Sequence, residues 1–183
     1  NSNLPDGISL QWVQAMESSF DARRSATSRR YQYVIANRWS RPALSRLPVT
    51  WVHQFLDDNL MHLAGQSLVG EHDFTSFRSV HCQAKQARRN LTSLSVSREG
   101  HLIRLDIEGN AFLHHMVRNI AGSLIAVGRG KKPASWVAEV LAAKDRKLAG
   151  ITAPASGLTL LEVSYPSQWG LPAHPWPEFP KAE

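Results

Sequence analysis

The sequence has 183 residues, 43% of them hydrophobic, enough to bury a core as one domain or two small ones and too many for a disordered tail. Lys and Arg number 21 against 15 Asp and Glu, and the net charge of +6 favours a polyanionic partner. A single cysteine, Cys82, excludes an internal disulfide and a multi-cysteine zinc site; no apolar run is long enough to span a bilayer and no leader pattern opens the chain, so a cytoplasmic, non-membrane protein is expected.

In chain order, the Pro5-Asp6-Gly7 turn signal precedes Ile8, Leu10 and Trp12, which alternate with Ser9, Gln11 and Val13 and predict a strand. Phe20 to Arg30 then reads as a basic loop, and Tyr31, Tyr33 and Ile35 as a second strand. After a basic, proline-containing connection, Asp57 and Asp58 are capping residues for a helix carrying Leu60, Met61, Ala64 and Leu68, with Gly70 as its stop. Gly70 to Arg78 has neither period and reads as a loop. Leu91 to Val96 and Leu102 to Glu108 are predicted strands, joined by Arg98-Glu99-Gly100 as a hairpin.

A helix is expected from about Phe112 to Val127, with Leu113, Met116, Val117, Ile120 and Leu124 on one face and Gly128 as its stop. Another begins near Pro133 and carries Trp136, Val140 and Leu141, and Leu158 to Tyr165 returns as a strand. From Pro166 onward the chain holds five of its ten prolines and is expected to be irregular. The fold class is α+β: an antiparallel or mixed sheet with helices packed on one face.

Seven arginines, Arg23, Arg24, Arg29, Arg30, Arg38, Arg41 and Arg46, stand between positions 23 and 46 with no acid among them. Guanidinium forks suit phosphate oxygens, and the interleaved Tyr31, Tyr33 and Trp39 offer rings to exposed bases; the alternative is a solvated basic face over strand tyrosines that belong to the core. His114 and Arg118, like His115 and Asn119, are spaced i,i+4 on the predicted helix. Arg118 there suits a carboxylate or phosphate, or is an ordinary arginine at a helix boundary. Ligand count argues against a metal at the histidines. His81 and Cys82, as neighbours on a strand, would point apart and make no thiol–base pair. Asp73 and Asp106 are possible acids without a second titratable group beside them, and no glycine-rich phosphate loop occurs. The residues by themselves support a basic RNA- or DNA-binding α+β domain.

Several blocks of this sequence resemble the TruA family of tRNA pseudouridine synthases: Asn3-Leu4-Pro5; Phe20-Asp21-Ala22-Arg23, Ser25-Ala26-Thr27 and Arg29-Arg30-Tyr31; Asp73-Phe74-Thr75-Ser76-Phe77-Arg78; Asn110-Ala111-Phe112 with His114-His115-Met116-Val117-Arg118-Asn119-Ile120; and Ala155-Ser156-Gly157-Leu158. The resemblance covers residues 1–166 and leaves 167–183 as a proline-rich irregular tail. It implies conversion of uridine to pseudouridine in the tRNA anticodon stem-loop, without metal or organic cofactor, by an enzyme of two related α/β halves acting as a homodimer.

By the same resemblance, Tyr31 stacks on the target base and assists proton removal, Arg118 ion-pairs with the catalytic aspartate, and Leu158 packs the pocket. Arg23, Arg24, Arg29, Arg30, Phe74, Arg78, His114 and His115 are implied RNA contacts. The Gly-Arg-Thr-Asp-Ala-Gly type motif that carries the aspartate is absent from the sequence. The expectation is therefore a carboxy-terminal portion, without its amino-terminal subdomain and inactive alone; the alternative is a non-catalytic RNA-binding module.

Overall fold

Nine regular elements follow one another as β1 (Ser28–Asn37), β2 (Thr50–Val52), α1 (Asp58–Gln66), β3 (Gly70–Asp73), β4 (Arg88–Glu99), β5 (Leu102–Gly109), α2 (Met116–Gly128), α3 (Trp136–Ala143) and β6 (Leu158–Ser164) among the described residues. The computed structural model describes residues 1–43 and 48–172, which leaves Arg46 and the tail beyond 172 outside. The chain divides into two units, residues 28–163 and residues 1–27 with 164 onward.

In the larger unit β1 is the strand on which the sheet is built. One edge pairs antiparallel with β5 from Arg29↔Gly109 to Ala36↔Leu102, β5 forms an antiparallel hairpin with β4, and β3 closes that side antiparallel to β4. The other edge takes β2 in parallel, Ile35↔Thr50 to Asn37↔Val52, and also β6, so the six-stranded sheet is mixed. Alternation along β5 decides its faces: Ile103, Leu105 and Ile107 are buried under the helices, whereas Arg104, Asp106 and Glu108 are only half-buried. The opposite face is polar across strands, with Gln32 donating to Asp106 at 3.0 Å and Arg30 paired with Glu162 at 3.6 Å. The fold is α+β with helices on the apolar face of a mixed sheet.

Helix α1 starts where Asp57 accepts from the Leu60 N–H at 2.9 Å, and Arg98 of β4 holds Asp58 at 2.6 Å. Eleven of the thirteen residues of α2 are buried, so it is covered on more sides than the sheet alone covers. The extra cover is the segment after α3: a Cβ at Gly122 would stand 1.7 Å from the Ile151 carbonyl oxygen, so that backbone lies flush on the helix.

In the smaller unit, Phe20 packs against Tyr165 and Trp169 with ring centroids 5.4 and 5.1 Å apart, and the Tyr165 hydroxyl donates to the Ala22 carbonyl. Residues 8–13 are exposed and form no strand, because no strand among the described residues pairs with them; Asn1 brackets Leu10 through its side chain instead.

Further boundaries differ from the sequence expectation, among them the end of α1, which stops at Gln66 before Leu68 and Gly70. Arg29 and Arg30 belong to β1, since the ladder with β5 extends to Gly109. Gly70–Asp73 is an edge strand and Thr75–Phe77 a 3₁₀ turn, where a loop was expected. The proline-containing connection holds the short β2. Helix α2 begins at Met116, four residues after Phe112, because His115 sits in the left-handed region at φ 61°.

Candidate functional site

Tyr31 lies on β1 two residues before Tyr33 and on the same face, half-buried, with its ring edge-on to Phe112 at 5.0 Å. Tyr33 is fully buried and donates its hydroxyl hydrogen to the Pro154 carbonyl at 2.8 Å; Thr50 Oγ1 lies 2.6 Å away and supplies its own hydrogen to the phenol oxygen. Burial raises the Tyr33 pKa, against the opposing pull of Thr50 and the nearby Arg118 charge, which keeps it a neutral donor.

Arg118 projects from the first turn of α2. Its Nε donates to the Ala153 carbonyl at 2.7 Å, while the Ala153 N–H returns to the Arg118 carbonyl at 3.1 Å. None of the ion pairs among the described residues involves Arg118. Residues 153 and 154 thus tie Arg118 to Tyr33, and the chain then passes close beside β1. A Cβ at Gly157 would meet the Val34 carbonyl oxygen at 2.7 Å and Tyr33 Cζ at 2.9 Å, so only glycine permits that approach. Leu158 follows, half-buried against the core. Tyr31 thus lies on β1 beside Phe112, Arg118 on the first turn of α2, and Leu158 at the start of β6, the strand that pairs with β1.

A second layer holds this arrangement. Asn119, fully buried, donates to the Phe77 carbonyl at 2.7 Å and accepts from Thr152 at 2.7 Å and Arg146 at 3.1 Å. Ser123 accepts the Gly150 N–H at 3.0 Å. The sequence marks Asn119 as a polar residue on an apolar helix in need of partners, but Arg146, Thr152, Thr50 and Tyr33 carry no such signal because their partners are distant in the chain.

The histidines join the 78–82 loop to this end of α2. Ser79 donates its N–H to the His114 carbonyl at 3.1 Å, and the His114 N–H points to Cys82 Sγ at 3.4 Å. His114 and His115 stack at 3.9 Å. Burial, then the charges of His114, Arg118 and His81, lower the His115 pKa. Burial acts against the Cys82 thiolate, but the Ala84 and His114 amides and Arg78 outweigh it, so its pKa is lowered; Arg78 also donates to the Cys82 carbonyl at 2.7 Å. His81 and Cys82 lie in a turn and coil rather than on a strand.

Other expected residues fall elsewhere. Phe74 is 0% exposed, packed against Phe77 and His72, so it supports the 75–77 turn from within the core and offers no surface to RNA. Arg29 donates to the Asn110 carbonyl at 2.7 Å. Arg23 and Arg24 belong to the smaller unit, where both backbone N–H groups donate to Asp21, which also stands 3.9 Å from the Arg24 guanidinium. Asp73 accepts from Thr75 and Asp106 from Gln32, so both candidate acids are engaged in local structure. Among the described residues no three His, Cys, Asp or Glu side chains are grouped for a metal ion.

Comparison with known proteins bears on the same region. A family model described as tRNA pseudouridine synthase matches residues 64–166, from α1 to the end of β6. Similar relatives are tRNA pseudouridine synthase A of Aeromonas hydrophila, 57% identical over 175 residues, and that of Stenotrophomonas maltophilia strain K279a, 55% identical over 172 residues. The first comparison covers 96% of this chain and 65% of the relative, the second 94% and 67%. The chain therefore spans about two thirds of the length of the relatives it matches. With identity at this level over nearly all of its residues, the helix bearing Arg118 and the strand bearing Leu158 included, the chain belongs to the TruA-type family of tRNA pseudouridine synthases.

Proposed function

We propose that this chain is the portion of a tRNA pseudouridine synthase that receives the flipped uridine of the anticodon stem-loop and orients a catalytic carboxylate supplied by polypeptide outside these residues. Isomerisation breaks the bond from ribose to the base nitrogen and rejoins the same ring through carbon; that carbon gives up its proton and the freed nitrogen takes one from water, so the formula is unchanged. The protein's task is to hold the detached base in a dry pocket. The carrying observation is Arg118: its Nε is fixed on the Ala153 carbonyl, while the guanidinium makes no ion pair among the described residues. A fork so fixed suits bidentate binding of a carboxylate. Tyr31 would cover the base and Leu158 wall the pocket, and the name that the two relatives share supports tRNA as substrate. The whole enzyme would act in the cytoplasm as a homodimer.

The test uses tritium release from uridine-labelled tRNA. The isolated 183-residue chain is expected to release none. In a full-length protein containing the aspartate, Arg118→Ala is expected to leave tRNA affinity nearly unchanged and lower turnover by about a hundredfold or more, the scale on which misplaced reacting groups are felt. Arg118→Lys should restore part of it, since an ammonium keeps charge without the planar fork. Loss of tRNA binding with normal single-turnover chemistry would make Arg118 a phosphate contact and sink the assignment.

A further inference from the structure

Behind the 153–154 segment lies a groove of ≈670 Å³ whose charged lining is of one sign only. Arg129, Lys131, Lys132 and Lys147 line it, and no Asp or Glu does among the described residues. The rest of its lining is largely apolar, Ile125, Trp136 and Ile151 included, and Ile151 is 81% exposed. Lys132 Nζ stands 5.3 Å from the centre of the Trp136 ring, so cation and aromatic face are already paired. Arg129 Nε is buried without an acceptor among the described residues. At the mouth, Trp51 is fixed by its indole N–H on the Arg38 carbonyl at 2.9 Å. From it, rings continue outward: Trp51 to His53 at 5.7 Å and His53 to Trp39 at 6.5 Å, Trp39 being 86% exposed. Arg38 and Arg41, both from the sequence's arginine run, flank Trp39 in the chain.

We propose that this groove and its ladder of rings form a second RNA site, which takes a single-stranded segment with bases on Trp39, Trp51 and Trp136 and phosphates on Arg129, Lys131, Lys132 and Lys147. Two features favour RNA over a peptide. A peptide helix seated on the apolar lining would gain from apolar rims and from cations balanced by acids, whereas four cations without an acid select a polyanion. The exposed rings of Trp39 and Trp51 offer surfaces on which any base can stack, the kind of platform that single-strand-binding grooves use. Ala153 and Pro154 line the inner end of the groove and also hold Arg118 and Tyr33, so the two sites share a wall. The proposal does not depend on catalysis and would survive failure of the synthase reading.

The test is fluorescence anisotropy of a labelled unstructured oligouridylate of about ten nucleotides, a length such grooves track, against the full 183-residue chain. Expected are binding that weakens with salt, a log–log salt slope reduced by roughly 0.7 for each phosphate contact removed in Lys131→Ala/Lys132→Ala, and about tenfold weaker binding in Trp39→Ala. These three side chains are exposed, so the variants should fold, which circular dichroism checks. Ultraviolet crosslinking of a 4-thiouridine probe adds a readout independent of mutation, expected at peptides containing Trp51 or Trp136. Titrations unchanged in both variants, or crosslinks confined to Tyr31 and Phe112, overturn the proposal. So does preferential capture of an acidic peptide by the groove, or self-association that buries it.

Discussion

His115 shows how one residue's backbone decides what its neighbours can do. Its left-handed φ of 61° starts α2 at Met116, so His114 stands before the helix and stacks on His115 instead of sharing a helical face with Arg118. Because burial and surrounding positive charge depress its pKa below 6.5, the folded state binds a proton less readily than the unfolded chain. The resulting stability is complete above pH 6.5 and is lost as pH falls through the lower folded value. His115→Asn removes the titration and tolerates the left-handed backbone, so its urea midpoint is expected to fall less between neutral and mildly acid pH than that of the parent. An unchanged acid limb would remove His115 from the account. The sequence singled out Arg118, Tyr31 and the histidines by residue type and spacing, but not the burial of Phe74, which comes from the packing of residues 72–77 on the core.

At the scale of elements, legibility followed how locally each one is specified. Helix α1 carries its own cap in Asp57 and its own stripe, and the β4–β5 hairpin its own turn and alternation. By contrast β2 and β3, three and four residues long, exist because β1 and β4 offer an edge, and Ile8 to Val13 alternates without gaining a partner. The seat of Ile151 on Gly122 is equally non-local and yields a prediction. Gly122→Ala puts a methyl where the Ile151 carbonyl oxygen stands, and overpacking of this kind costs about 1–3 kcal/mol. Chemical denaturation should show a loss of that order; wild-type stability would mean that residues 150–153 do not rest on α2.

For the whole molecule, the net charge of +6 predicts tRNA affinity that falls steeply with salt, each released phosphate counterion contributing roughly 0.9 to the slope. Replacing Arg29 and Arg30 by alanine should flatten that slope in filter-binding titrations; an unaltered slope would place RNA elsewhere on the protein. Composition and periodicity were enough for a basic α+β fold, because the alternation of buried and polar positions is written in β5 and in β4 beyond its bulge. What they could not carry is distance along the chain. The Tyr33 to Pro154 hydrogen bond joins residues 121 apart. At about 5–20 residues per second of synthesis, Pro154 leaves the ribosome on the order of ten seconds after Tyr33. The β1–β5 ladder can form in that interval, but Arg118 and Tyr33 wait for their carbonyls. The end of this unit that holds Arg118 and Tyr33 is therefore completed late, and a nascent chain halted before Ala153 would display the β1–β5 ladder without the carbonyls that fix those two side chains.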